Sequence, residues 1–174
     1  GLDWTFLRPS FFMQNLVQTH HEEIRDGEIV VPAGSGETSF VDAADIAAVA
    51  ATALAEPGHE GQAYDITGPE ALTYHEVARI LSEVLDREIS YDEPSLIEFV
   101  RHSRRQGRDW PFVLVMAGIY TTARVGLAGR VTDDVERLLG RPPRSFREWA
   151  EENTEAFESG ERNSEAANPT DNDM

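Results

Sequence analysis

The chain of 174 residues contains no cysteine and no lysine, and each absence removes a kind of chemistry. Without cysteine it cannot form disulfides, thiolate nucleophiles or thiolate metal ligands. Without lysine it cannot form a Schiff base, because all 15 basic residues are arginine. Long hydrophobic runs are also missing, since the longest, residues 110–120, falls short of the roughly 20 residues that cross a bilayer. The sequence therefore predicts no membrane span.

Positive charge is scarce, with 32 acidic residues against 15 basic ones and a formal net charge of −17. Such a charge repels nucleic acid and anionic membranes, so we expect no direct nucleic-acid partner and no membrane partner. An acid excess with arginine in place of lysine indicates a surface that works in concentrated salt, where screening removes self-repulsion. Simple compositional bias is the alternative.

The chain begins with glycine and passes almost at once into an apolar strand. Its first residues are acidic and aromatic, which is not the pattern of a secretory leader. We therefore expect a fragment of a longer cytoplasmic protein. A hydrophobic fraction of 40% is typical of a globular chain with a real core.

Residues 3–15 predict a strand, a tight turn and the start of a helix. Trp4, Phe6 and Leu7 are so continuously apolar that the strand should be covered on both faces, as parallel strands are. Pro9 ends the strand because proline cannot donate to a ladder. Ligands of open α/β sheets bind at the carboxyl ends of strands, so we expect Pro9 and the next two residues to lie at that edge.

The remaining pattern alternates strands with helices and then becomes helical. We expect further strands at residues 28–32, 38–41, 62–67 and 88–91, and helices at 12–25, 42–55, 73–85, 95–108, 110–127, 132–139 and from 145. Three helices begin with capping boxes: Thr73 with Glu76, Ser95 with Glu98, and Ser145 with Glu148. This order predicts an α/β fold with a helical appendage.

Two short motifs resemble ligand sites but have plainer interpretations. The segment Gly34-Ser35-Gly36 is part of a dinucleotide fingerprint, yet a strand follows it instead of a helix, so we interpret it as a flexible turn. His20 and Glu23 share a helix face, but a third ligand is missing, and we assign no metal site.

Three segments resemble successive landmarks of the NmrA-like family, which comprises atypical short-chain dehydrogenases akin to NAD(P)H-dependent quinone and isoflavone reductases. They are LRPSFFMQN at residues 7–15, FVDAADIA at 40–47 and YDITGPE at 64–70. The closing GRPPRSF at 140–146 also resembles the family's ending. The resemblance implies that residues 1–68 form the distal half of a Rossmann-like parallel sheet whose N-terminal half is absent. It also implies that residues 69–157 form a mostly helical substrate lobe, ahead of a disordered acidic tail at 158–174.

The family's glycine-rich phosphate loop and its Tyr-x-x-x-Lys helix lie upstream of the part that this chain resembles. Tyr74, Tyr91 and Tyr120 have no lysine four residues later. We therefore assign no catalytic residue, and we expect the isolated chain to be inactive and to bind dinucleotide weakly. NADP or NAD is the cofactor that the resemblance implies for the intact protein.

The resemblance also implies roles for nine residues. Those beside the nicotinamide are Pro9, Ser10, Phe11, Phe12 and Asn15, and those of the substrate pocket are Met13, Trp110, Phe112 and Met116. Ordinary core packing is the alternative for the aromatic residues and the methionines among them, because residues of an apolar helix stripe are usually core.

Three charged residues near the same strand ends have local interpretations. Arg8 either reaches a phosphate or pairs with Asp42 or Asp45. Helix capping explains both aspartates.

Two functions follow from the resemblance, and a third does not need it. The first is the distal half of an NAD(P)H-dependent oxidoreductase acting on a quinone-like or small carbonyl acceptor. The second is a non-catalytic NAD(P)-sensing regulator of the same family. The third is a partner-binding module whose opening strand pairs with another chain or with a second copy.

Overall fold

The computed structural model describes residues 3–158. The strands are β1 (Thr5–Pro9), β2 (Phe11–Phe12), β3 (Glu37–Val41), β4 (Gln62–Ile66) and β5 (Ala71–Thr73). The helices are α1 (Asn15–Gln18), α2 (His21–Arg25), α3 (Ala43–Ala55), α4 (Tyr74–Val84), α5 (Leu96–Arg105), α6 (Trp110–Arg124), α7 (Asp134–Leu139), α8 (Phe146–Glu152) and α9 (Thr154–Glu158). The fold is α/β, as predicted. The acidic tail expected at 158–174 lies outside the described residues, apart from the last residue of α9.

The strands form two small sheets. In one, β1 and β4 run parallel, with Arg8 opposite Asp65. In the other, β2 and β3 run parallel and β5 pairs antiparallel with β3. The parallel pairs confirm the predicted sheet type, whereas β5 was not predicted. Since β5 follows residue 68, the predicted helical lobe contributes a strand to the sheet, and the division of the chain at that residue stays a prediction.

The expectation that β1 is covered on both faces is wrong for the described residues. Leu7 packs toward the small core beneath α3. On the opposite face, Trp4 is 47% exposed and Phe6 is 58% exposed, and their rings lie 4.7 Å apart. Side chains two residues apart in a strand share a face, so these two aromatic rings form one open apolar surface.

Local capping places most helix starts as predicted. The three capping boxes all form, at the starts of α4, α5 and α8. Asp42 caps α3 through Oδ1, which accepts the Ala44 amide at 3.0 Å. The single helix predicted to run to residue 25 is instead divided into α1 and α2.

Two predicted strands are not formed. Residues 28–32 and 88–91 share a single parallel bridge, between Glu28 and Ser90. Their apolar side chains are nevertheless buried, so the hydrophobic pattern identified core positions without the ladder.

The main core lies between β3 and helices α4, α6 and α8. It contains Phe40, Tyr74, Trp149 and, as predicted for the end of the chain, Phe157. Helix α6 buries one stripe and leaves other apolar residues exposed, including Leu114. Among residues 3–158, no helix combines the length and apolar character that a membrane span requires.

Candidate functional site

A cavity of about 540 Å³ opens where strand ends meet helix α6. Because β1 and β4 are parallel, their carboxyl ends lie at the same edge, and this edge forms one wall. Residues at helical spacing along α6, namely Met116, Tyr120 and Ala123, form the facing wall. The other lining residues are Arg8, Pro9, Ser10, Phe11, Phe12, Asn15, Thr19, Thr38, Ser39, Asp65, Thr67, Tyr74, Ile119, Thr122, Leu127, Ala128 and Arg130.

Backbone hydrogen bonds fix the loop at the base of the cavity. The Ser10 amide donates to the Ile66 carbonyl at 2.9 Å, which ties the loop to the first sheet. The Met13 amide donates to the Val41 carbonyl at 3.0 Å, which ties it to the second. The loop therefore bridges the two sheets and holds Ser10 at their junction.

Three hydroxyl groups of the cavity are buried without a hydrogen-bond partner of standard geometry among the described residues. They are Ser10 Oγ, Thr38 Oγ1 and Tyr74 Oη. Burial raises the pKa of Tyr74 well above its ordinary value of 10.0, although the nearby Thr38 side chain opposes the rise, so its phenol is protonated at neutral pH. Buried polar groups are nearly always paired, and the Thr38 and Tyr74 hydroxyls lie close enough to interact with each other. Of the three, the Ser10 hydroxyl is therefore best suited to a polar ligand group.

The structure brings six of the predicted site residues together around this cavity. They are Pro9, Ser10, Phe11, Phe12, Asn15 and Met116. Phe11 packs edge-on against Phe40 at 5.6 Å between ring centroids, so it is both cavity wall and core margin. The cofactor and substrate roles of these residues stay predictions.

The other three predicted residues do not line the cavity. Met13 is fully buried in the core, because its amide joins β3 and its side chain points inward. Trp110 and Phe112 lie at the start of α6, at least one turn before Met116, where they pack under the guanidinium groups of Arg104 and Arg108. The part of α6 that lines the cavity is therefore its middle and end, from Met116 onward, and not its first turn.

An arginine pair that shares one carboxylate stands at the cavity mouth. Arg8 Nε lies 2.7 Å from Asp65 Oδ1, and Arg130 Nη1 lies 3.0 Å from Asp65 Oδ2. The expected pairing of Arg8 with Asp42 or Asp45 is wrong, because strand register places Arg8 beside Asp65.

The two other aspartates bind the segment before α8 to helix α3. Asp42 pairs with Arg144 at 3.0 Å. Asp45 pairs with Arg141 at 2.7 Å and accepts the Arg144 amide at 2.8 Å. Neither carboxylate lines the cavity.

The turn before β3 is a close packing contact. Gly34 has a positive φ of 57°. A Cβ on Gly36 would lie 2.0 Å from the Ala123 carbonyl oxygen, so only glycine allows the turn to approach α6 this closely. The interpretation of this segment as merely flexible is therefore wrong, and its glycines help to position the cavity wall.

Tyr120 of the cavity wall and four residues behind it form a largely buried polar cluster that sequence reasoning did not find. They are His20, Glu23, His102, Arg108 and Tyr120. His20 Nε2 lies 2.5 Å from Tyr120 Oη, and its Nδ1 lies 2.5 Å from Glu23 Oε2. Glu23 Oε1 lies 3.0 Å from His102 Nε2 and 3.4 Å from Arg108 Nη2. Only the spacing of His20 and Glu23 was visible in the sequence, because the other partners are distant along the chain.

The cavity fits the nicotinamide end of a dinucleotide better than its phosphate end. It is lined by the hydroxyl-bearing residues Ser10 and Thr38 and by the aromatic side chains of Phe11 and Phe12. A pyrophosphate requires main-chain amides at a glycine-rich turn that opens a helix. Among residues 3–158, the Gly34 turn leads into β3 instead, and no other glycine-rich turn opens a helix.

Comparison with known proteins gives a consistent result. The sequence model of the NmrA-like family matches residues 1–106. An NAD(P)H azoreductase from Xenophilus azovorans is 41% identical over 158 residues, which are 90% of this chain and 55% of that protein. A (4-alkanoyl-5-oxo-2,5-dihydrofuran-3-yl)methyl phosphate reductase from Streptomyces griseus is 36% identical over 90% of this chain and 55% of its own length.

A solved structure shows the same fold. The Citrobacter sp. triphenylmethane reductase, crystallised with NADP(H), superposes with a TM-score of 0.75 at 31% identity, over 83% of this chain and 51% of that one. The chain thus spans about half the length of the relatives that it matches.

Proposed function

Because the chain belongs to the NmrA-like family, we propose that it forms the acceptor-binding half of an NAD(P)H-dependent oxidoreductase. The cavity between the strand ends and α6 carries this proposal, since it combines flat apolar walls with free hydroxyls at the edge where α/β proteins bind ligands. The N-terminal half of the nucleotide-binding domain would lie on a segment outside this chain. The open face of Trp4 and Phe6 supports that arrangement.

The proposed acceptor is a small, conjugated, quinone-like or carbonyl compound. One relative is named as an azoreductase and a solved structure as a triphenylmethane reductase, and a triphenylmethane carries three aromatic rings. Met116 and Ile119 provide apolar surface for such a ring. The hydroxyls of Ser10 and Thr38 would hold its polar atom.

The proposed division of labour is simple. A nicotinamide cofactor, NADP or NAD, supplies a hydride when bound. Main-chain groups from Pro9 to Phe12 would orient the nicotinamide at the strand edge, which leaves the Ser10 side chain for the acceptor. Met116 and its neighbours on α6 would cover the acceptor and exclude water, which strengthens every polar contact inside.

A regulatory, non-catalytic use of the same cavity is the second candidate. The chain contains no lysine, so the presence or absence of a Tyr-x-x-x-Lys pair, which separates the two functions, depends on the segment that precedes it. Turnover of NAD(P)H with a quinone would decide against the regulatory use.

Calorimetric titration with NADPH and NADH tests the proposal on the chain alone and on a version extended by the preceding coding sequence. We expect weak binding to the chain alone and tight binding, with quinone-dependent loss of absorbance at 340 nm, in the extended version. Tight binding to the chain alone would contradict the assignment of the phosphate cradle to another segment. No binding and no turnover in the extended version would contradict the function itself.

A matched pair of serine variants tests the site. Ser10→Ala and Ser103→Ala each remove a buried, unpartnered hydroxyl, but only Ser10 lines the cavity. A neutral hydrogen bond contributes about 0.5–1.5 kcal/mol, so Ser10→Ala should raise the KM for a quinone roughly 2- to 12-fold. Ser103→Ala should leave the KM unchanged. Equal effects of the two variants would place the acceptor elsewhere.

A further inference from the structure

A continuous path of polar side chains leads from the cavity wall to the surface. Tyr120 lines the cavity, and its Oη lies 2.5 Å from His20 Nε2. His20 Nδ1 lies 2.5 Å from Glu23 Oε2, and Glu23 Oε1 lies 3.0 Å from His102 Nε2. The first three residues are at most 2% exposed, whereas the His102 side chain is 26% exposed. The path therefore connects a residue of the cavity wall to a partly exposed side chain.

The charges that face this path fix the direction of its hydrogen bonds. Burial raises the pKa of Glu23. The hydrogen bond from His20 and the charges of His20, Arg108 and His102 lower it by more, so the pKa lies below its ordinary value of 4.5. Glu23 is thus an anion at neutral pH. An anionic carboxylate accepts from His20 Nδ1–H, which leaves Nε2 to face Tyr120.

Tyr120 itself is held as a neutral phenol. Burial raises the pKa of Tyr120 well above 10.0, the neighbouring Tyr74 and Glu23 raise it further, and Arg108 only partly opposes them. The hydroxyl therefore keeps its proton at neutral pH. It can release that proton only to a strongly basic group in the cavity, and a newly reduced acceptor is such a group.

The cluster is more polar than a structural tie between helices requires. An apolar set of similar volume in place of a buried ion pair is often neutral or stabilising. Here a buried carboxylate with two histidines and an arginine joins α2 to α5 and α6 directly behind the cavity wall. Both its position and its connection to solvent match a proton supply.

Building on the proposed function, we propose that Tyr120 donates the proton in the reduction of a neutral acceptor, and that His20 and Glu23 recharge it. The acceptor gains a hydride, with both electrons, from the reduced nicotinamide, which is oxidised. The Tyr120 O–H bond breaks as a bond from that hydrogen to an oxygen or nitrogen of the acceptor forms. In this cycle His20 carries a proton on both ring nitrogens, so that Nδ1–H donates to Glu23 and Nε2–H donates to Tyr120 Oη. The tyrosinate takes the Nε2 proton, and the neutral His20 regains one from solvent through His102 and Glu23.

The charge of the acceptor provides a sharp test. A quinone such as menadione is neutral and needs a hydride and a proton. A triarylmethane dye such as malachite green is a cation and needs only the hydride. Tyr120→Phe in the reductase-competent protein should therefore lower kcat for menadione by about 10²-fold, the usual contribution of a general acid, and change kcat for the dye by less than about 2-fold. A merely structural role of Tyr120 would affect both acceptors equally.

Tyr91→Phe is the matched control. Tyr91 is also buried, and its hydroxyl donates to backbone carbonyls of Val31 and Gly34 at 3.1 Å, but it does not line the cavity. This variant should affect neither acceptor selectively. His20→Gln interrupts the path and leaves the phenol in place. It should slow menadione reduction, and it should abolish the solvent isotope effect that arises when Tyr120 is reprotonated.

Nuclear magnetic resonance supplies a readout that needs no turnover. The His20 ring-proton signals should shift in Tyr120→Phe relative to the wild-type chain and keep their wild-type positions in Tyr91→Phe, because only Tyr120→Phe removes the hydroxyl beside Nε2. Equal loss for both acceptors, no loss for either, or a menadione-selective loss in Tyr74→Phe instead would overturn the relay. Absence of NAD(P)H oxidation by the wild-type protein with either acceptor would overturn the proposed function, and the relay with it. Failure of the relay alone gives a different result, in which the wild-type protein oxidises NAD(P)H and the Tyr120→Phe variant does so at the same rate.

Discussion

Glu23→Gln tests the electrostatics of the buried polar cluster directly. The Glu23 carboxylate is 2% exposed and faces three cationic or ionisable partners: His20 at 2.5 Å, His102 at 3.0 Å and Arg108 at 3.4 Å. The variant keeps the volume and one accepting oxygen but removes the charge. Arg108 then remains largely buried without its counter-ion.

The expected loss of stability is large. Removal of one partner from a buried ion pair costs about 3–5 kcal/mol, and the retained amide oxygen places this variant near the lower end, at about 3 kcal/mol. For a chain of this size, one kcal/mol shifts Tm by about 2–4 °C, so we expect a fall of roughly 6–12 °C at neutral pH.

The pH dependence has a definite sign. The pKa of Glu23 is lower in the folded protein than its ordinary value of 4.5, so its stabilisation is complete above that value. It is lost as pH falls through the folded-state pKa, because the carboxyl group must then be protonated. The difference in Tm between the wild type and Glu23→Gln should therefore be largest near neutral pH and shrink in acid.

Thermal unfolding followed by circular dichroism from about pH 2 to pH 7 measures both effects, because the loss falls below about pH 4.5. Glu22→Gln is the control, because Glu22 lies on the same helix but is exposed. It should change Tm by less than about 2 °C, as surface substitutions do. A Glu23→Gln variant as stable as Glu22→Gln, or a difference that does not depend on pH, would refute the reasoning.

Two further variants test the packing around the cavity. Gly36→Ala forces a Cβ against the Ala123 carbonyl at 2.0 Å and should cost about 1–3 kcal/mol in urea unfolding and weaken acceptor binding. Gly118→Ala in α6 is the control, because its Cβ meets nothing within 4 Å, and it should be neutral or stabilising. A larger loss of stability in Gly118→Ala than in Gly36→Ala would contradict the close approach of the Gly36 turn to α6. Asp42→Ala removes both a helix cap and a buried ion pair and should cost about 2–4 kcal/mol by the same measurement. The exposed cap Asp109→Ala should cost only about 1 kcal/mol, and equal losses would show that the ion pair contributes nothing.

Local signals in the sequence predicted local structure well. The capping box of Thr73 and Glu76 requires only four consecutive residues, and it forms as expected. The strands expected around Ile29 and Ile89 failed for the opposite reason. Whether an apolar segment forms a ladder depends on a partner strand, and here only one bridge, from Glu28 to Ser90, is made. Burial was predictable from apolar residues, but pairing was not.

The candidate site was likewise only partly predictable from the sequence. Pro9 and Ser10 could be placed at the cavity from the strand, turn and helix pattern alone, because ligands bind at strand ends. The facing wall of α6 could not be placed in this way, because the sequence does not indicate which turn of α6 lies against the strand ends. Tyr120 lies 100 residues from its partner His20, so their hydrogen bond leaves no spacing signal.

The junction of the two sheets explains why the segment that follows β1 organises the site. Ser10 donates to the first sheet and Met13 to the second, so any movement of one sheet against the other displaces the loop between them. Gly68 tightens the same junction, because a Cβ there would lie 2.0 Å from the Phe40 carbonyl oxygen. The core below is close-packed and resists such movement. The free hydroxyl of Ser10 is therefore held at a fixed point of the cavity, which is the preorganisation that recognition of a small polar group requires.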